Sequence, residues 1–123
     1  MMNNSFIYDT YAIIEIISGN IKYNNYLDKK IIINNFIYAE LCFILIKNNY
    51  PNLEEYLNRY SKFIAPLNPN IIKEAMKFRV RNKENDLSMT DCISYLMAKE
   101  FGIKFLTGDK EFENLENVEF IKK

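Results

Sequence analysis

The strand-like segments of this chain are continuous apolar runs, and helix signals separate most of them. Ser5 to Tyr8, Lys30 to Ile33, Phe63 to Leu67, Ile103 to Thr107 and Val118 to Ile121 are rich in β-branched or aromatic residues and lack apolar–polar alternation. A strand with one wet face alternates; a strand covered on both faces has no need to. Between these runs lie helix-length segments. Thr10 to Ser18 is ended by Gly19-Asn20, and Asn34-Asn35 caps a helix through about Lys47. Leu53 to about Lys62 follows Pro51, Ile71 to about Lys83 has a basic second half, and Ser88 to Phe101 is ended by Gly102. Capping residues at the starts and glycines beyond the ends support these assignments. The stretch leading to Asp28 reads as short helix or loop, Glu84-Asn85-Asp86 as loop, and Lys110 to Phe112 as one helical turn. Dry strands alternating with helices predict an α/β protein: a three-layer α/β/α sandwich around a central, mostly parallel sheet, forming a single domain over 1–123.

In such sheets, sites form beyond the carboxyl ends of the strands. The chain has five aspartates and three threonines, and three of each occur together: Asp9-Thr10, Thr90-Asp91 and Thr107-Gly108-Asp109. Asp9 and Asp109 follow strand-like runs, and Asp91 opens a helix-like one. Short carboxylates at the ends of separate elements can be brought to one point by a fold. Converging hard oxygen donors suit Mg²⁺ or Mn²⁺. Each aspartate also has a local role open to it. Asp9 and Asp109 can cap the turns that follow them, and Ser88 with Asp91 fits a capping box. A cap is worth about 1 kcal/mol.

Glu40 is harder to explain by local structure. Its helical neighbours are Phe36, Ile37, Phe43 and Ile44, so it is expected to be buried with no polar face near it apart from Tyr38; emergence at a surface edge is the alternative. An unpaired carboxylate there would cost several kcal/mol or be forced neutral; a metal or another cation would relieve it. Glu15, flanked by Tyr11, Ala12, Ser18 and Gly19, reads instead as solvated, as do Asp28 and Asp86. Glu111 is open to either reading. Thr10 and Thr107 are placed to hydrogen-bond a neighbouring ligand carboxylate and fix its orientation.

The absences narrow the chemistry. There is no histidine, so neither Ser-His-Asp nor Cys-His catalysis can be assembled, nor a metal site using imidazole. Net charge is zero, with 16 basic and 16 acidic residues, which argues against a general nucleic-acid coating protein. Lys73, Lys77, Arg79, Arg81 and Lys83 form the one basic cluster and are candidates to guide phosphates. Cys42 and Cys92 sit in apolar helical patterns and read as buried, reduced thiols. The longest apolar run, Leu41 to Ile46, is too short to span a bilayer, and Met1 to Ser5 lacks signal-peptide features, so a cytoplasmic location is expected. Nine tyrosines and nine phenylalanines exceed what a small core needs, leaving some for a partner surface.

Asp9-Thr10, Glu40, Ser88-x-x-Asp91 and Leu106-Thr107-x-Asp109-x-x-Phe112 follow the order and approximate spacing of a PIN domain. From Phe6 to Ile121 the chain resembles the VapC-type toxins of toxin–antitoxin modules. The resemblance implies a Mg²⁺- or Mn²⁺-dependent endoribonuclease in which Asp9, Glu40, Asp91 and Asp109 form the acidic quartet that holds the metal, with Thr107 in support. It also implies an RNA substrate, a homodimer and a cognate antitoxin. Two positions depart from the family pattern: Gly108 stands where an arginine is common, and Glu111 where an aspartate is. A PIN nuclease of RNA processing, or an inactive PIN-like binding module, is the alternative. A receiver-like domain would need paired acids near the first strand, where only Asp9 stands; an Asp-x-Asp phosphatase would need an acid at Tyr11.

Overall fold

The computed structural model describes residues 4–123. Nine labelled elements follow one another: β1 (Ser5–Tyr8), α1 (Thr10–Ile17), β2 (Lys30–Ile32), α2 (Asn35–Lys47), α3 (Leu53–Ser61), α4 (Pro69–Arg81), α5 (Met89–Phe101), β3 (Lys104–Thr107) and β4 (Val118–Phe120). Short 3₁₀ turns cover Ile21–Tyr26, Lys83–Asn85 and Lys110–Phe112. The strands form one sheet in the order β2-β1-β3-β4, and every adjacent pair is parallel. Ile7 pairs with Ile32 on one side and Phe105 on the other, so β1 and β3 lie at the centre.

The dry-strand expectation holds for a direct physical reason. Successive strand residues point to opposite faces, yet Ile7, Tyr8, Phe105 and Leu106 are all fully buried. Both faces are therefore covered: α1 and α5 each pack on the central strands, α4 packs on α5, and α2 on α1. Ile13 of α1, Ile37, Leu41 and Leu45 of α2, and Ile93 and Met97 of α5 complete the core.

Helix starts follow their caps. Asn34, Asn68 and Ser88 accept hydrogen bonds from the N–H groups of Ile37, Ile71 and Asp91 respectively. Pro69 occupies the first turn of α4, where its missing N–H costs nothing, so this helix starts two residues before Ile71. It ends at Arg81 rather than Lys83, because Asn82 turns its side-chain amide back to the Phe78 carbonyl. Phe63 to Leu67 is not a strand. It makes a single parallel bridge, Ile33 to Ile64, and the pairing stops there because the partner segment turns into α2 at its cap, Asn34. Both cysteines are free thiols; Cys92 is buried, whereas Cys42 is only half-buried. Among the described residues, no helix is long and apolar enough to cross a membrane.

Candidate active site at the carboxyl edge of the sheet

From β1 the chain crosses to β2 on one side, then returns past β1 to β3 on the other. The carboxyl ends of β1 and β3 thus flank the point where the winding reverses, the natural crevice of an open parallel sheet. Asp9 leaves β1 and Asp109 follows β3 at this point. Asp91 enters from the first turn of α5 and Glu40 from the middle of α2. All four carboxylates line one cavity of about 290 Å³, together with Thr10, Ser88 and Lys123.

Each carboxylate is held by its local structure. Asp9 is 4% exposed and caps α1: its Oδ1 accepts from the Ala12 N–H at 2.6 Å. Burial pushes its pKa up to about 6, against the stabilising pull of the Thr107 hydroxyl, the Ala12 N–H, the Lys123 ammonium and the Gly108 N–H. Asp91 is pushed up to about 7, first by burial, then by the negative charges of Asp9, Asp109 and Glu40; the Ser88 side chain opposes the shift. Asp109 caps its 3₁₀ turn through the Glu111 N–H at 3.0 Å. Its own N–H donates to the Thr107 hydroxyl at 3.1 Å. Capping and convergence thus coexist, because a helix start at the end of a strand points its cap into the crevice.

Glu40 differs from expectation. It is half-buried on the rim rather than enclosed, and its Oε1 accepts from the Thr10 hydroxyl at 2.7 Å. Of the apolar neighbours that suggested burial, Ile37 is in the core but Phe43 turns outward and is 64% exposed. α2 presents part of its apolar surface to solvent, so the neighbours of Glu40 did not report its depth. Glu15 stays outside the cavity and accepts from the Asn20 side-chain amide at 2.6 Å. Glu111 is exposed and does not line the cavity.

The basic cluster lies along and just beyond α4, and none of its residues lines the acidic cavity. Lys77 pairs with Glu74 at 3.3 Å, and Arg79 Nε donates to the Leu87 carbonyl at 3.0 Å. Lys73, Lys77 and Arg81 flank a separate shallow depression. The cation that does line the acidic cavity is Lys123, with Tyr11 beside it. Sequence patterning carried no signal for either, apart from the bareness of Gly108.

The donor set fits a hard divalent cation. It is all oxygen, and burial, with the crowding of negative charge added to it, pushes the pKa of Asp91 up to about 7. Among the described residues, no three His, Cys, Asp or Glu side chains stand close enough to form a ready-made metal-holding group. Mg²⁺ does not require one, since it is usually held by one or two carboxylates and keeps several waters.

Fold and site together define a parallel α/β protein with a carboxylate crevice at its winding reversal. The chain belongs to the PIN domain family, whose model matches residues 6–118. A solved structure described as a toxin–antitoxin complex from Klebsiella pneumoniae is similar in fold, with a TM-score of 0.78 over 96% of this chain and 99% of that one. The two are 18% identical, a level at which the likeness concerns the fold alone. None of the curated proteins matches.

Proposed function

We propose that this protein is a Mg²⁺- or Mn²⁺-dependent endoribonuclease, the toxin of a VapBC-type toxin–antitoxin pair. One observation carries the reading: Asp9, Glu40, Asp91 and Asp109 come from four separate elements of a PIN fold and meet in one cavity. A divalent cation held there would activate water and neutralise charge on a phosphodiester. The chain's own residues supply the rest. The Ala12 N–H and the Thr107 hydroxyl orient Asp9, and the Thr10 hydroxyl orients Glu40. Asp91 has its pKa pushed up to about 7 by burial and the neighbouring carboxylates, so it would give up its proton on taking a cation. The similar fold in a toxin–antitoxin complex supports the toxin role and a protein antitoxin as partner. A homodimer and a cytoplasmic location complete the proposal.

The test is cleavage of a structured RNA with Mg²⁺, with Mn²⁺ and with EDTA. Cleavage abolished by EDTA and restored by added cation is the expected result. No cleavage under any condition would overturn it. That outcome would favour an inactive PIN-like binding module.

A further inference from the structure

Lys123 brings a positive charge into a cavity whose other charged lining residues are four carboxylates. It arrives from the segment after β4, which the Ile121 N–H ties to the Thr107 carbonyl at 3.0 Å. The Lys22 ammonium holds the same segment through the Lys122 carbonyl at 3.3 Å. Gly108 makes the route possible. A Cβ at this buried position would meet the Ile121 carbonyl oxygen at 2.8 Å, and the Lys123 stem at 3.0 and 3.3 Å. The first contact is with backbone, so it could be relieved only by moving the segment. The lysine stem therefore lies across a surface that exists only because residue 108 has no side chain. At its far end, the ammonium stands 4.3 Å from the centroid of the Tyr11 ring, a favourable cation–π platform.

The ammonium forms no ion pair within 4.0 Å among the described residues, in contrast to Lys77, Lys99 and Lys104. A lysine recruited only to neutralise the carboxylates would be expected to close on one of them. This one is held by its stem and by an aromatic face, and its N–H donors stay free at the cavity. We propose that Lys123 is a substrate-binding residue that contacts a backbone phosphate of single-stranded RNA beside the carboxylates, with Gly108 and Tyr11 as the residues that position it. The proposal rests on the nuclease reading for the identity of its ligand, and it assigns the phosphate contact at the site to a residue outside the α4 cluster.

The test measures binding, so it does not depend on turnover. Affinity for a fluorescent single-stranded oligoribonucleotide is measured in Ca²⁺ across a salt series for the wild type, Lys123→Ala, Lys123→Arg and Gly108→Ala. Loss of one phosphate contact should weaken binding and lower the salt slope by about 0.7. Lys123→Ala is expected to do both, and Lys123→Arg to restore most of the slope. Gly108→Ala should mimic Lys123→Ala although the lysine is still present. A Lys123→Ala protein with unchanged affinity and slope overturns the proposal. So does one that only binds divalent cation more tightly, because the lysine would then serve the carboxylates alone. If the wild type cleaves RNA yet Lys123→Ala binds normally, this assignment fails while the nuclease reading stands. If the wild type never cleaves but Lys123→Ala loses the phosphate contact, the nuclease reading fails and the assignment stands.

Discussion

The two edges of the sheet carry cavities of opposite kinds. At the amino edge, a large one of about 920 Å³ lies among Ser5, Phe6, Lys104 and the loop from Asn24 to Lys29. At the carboxyl edge, the cavity is about 290 Å³. Size would choose the first, but charge chooses the second. At the amino edge the carboxylate Glu119 is satisfied: the Tyr26 hydroxyl donates to it, and Lys104 stands 3.6 Å away. At the carboxyl edge four carboxylates face one another beside the Lys123 ammonium, which has no ion pair among the described residues, and two of them are shifted far from their ordinary pKa. Uncompensated charge in a half-buried crevice is costly, and folds retain it where chemistry or binding needs it. A roomy cavity whose Glu119 carboxylate is already paired carries no such tension.

The contrast is broken most directly by activity. Asp9→Asn and Asp91→Asn should each lower cation-dependent RNA cleavage by about 100-fold or more, with the fold intact by circular dichroism. Glu119→Gln, at the amino edge, should leave the rate close to wild type. Equal losses at both edges would remove the distinction between them.

Stability offers the next largest effect, and its sign is unusual for an aspartate. The pKa of Asp91 is raised from 3.8 to about 7 in the folded chain, so between these values the native state holds a proton that the unfolded state has released. The stabilising contribution is complete below pH 3.8 and is lost as pH rises through about 7. Without divalent cation, Asp91→Asn should therefore be more stable than wild type at pH 8. Each tenfold change in proton affinity is worth about 1.4 kcal/mol, so the gain should reach on the order of a few kcal/mol, less whatever solvent screens. The gap should close as pH falls towards 4, and added Mn²⁺ should stabilise the wild type more than the variant. Urea unfolding at several pH values checks this; a variant no more stable than wild type at pH 8 would contradict it.

The smallest effects separate scaffold from site. Gly102 ends α5 at φ +69°, at the amino edge, where alanine would be strained. Gly102→Ala should cost about 1 kcal/mol in thermal unfolding and leave cleavage unchanged. Ser88→Ala should cost a similar ~1 kcal/mol as a lost cap, and also reduce cleavage, because Ser88 lines the cavity beside Asp91. If the two variants behave alike in the cleavage assay, Ser88 is a cap and nothing more.

Much of the fold could be read along the chain, because its signals are local. Asp9, Asn34 and Ser88 mark helix starts, Gly102 marks an end, and dry runs such as Phe6-Ile7-Tyr8 indicate strands covered on both faces. Phe63 to Leu67 misled because its composition is strand-like while its partner segment turns into α2 at Asn34 after one bridge. Glu40 misled for another reason: apolar neighbours were read as burial, yet Phe43 and Ile46 lie on an outward face of α2. Helical spacing says which residues share a face but not whether that face is covered.

Residue types and their local spacing were enough to determine the parallel α/β architecture and the candidate carboxylates, since strand and helix signals and capping chemistry act over a few residues. Tertiary structure decided how those charges meet. The positions of Lys104–Thr107 beside Ser5–Tyr8, and of the segment after β4 beside Thr107, depend on pairings between distant parts of the chain. Those long-range contacts press Asp9, Asp91 and Asp109 close enough to shift Asp91, set Glu40 on the rim against Thr10, and lay Lys123 across Gly108 into the crevice.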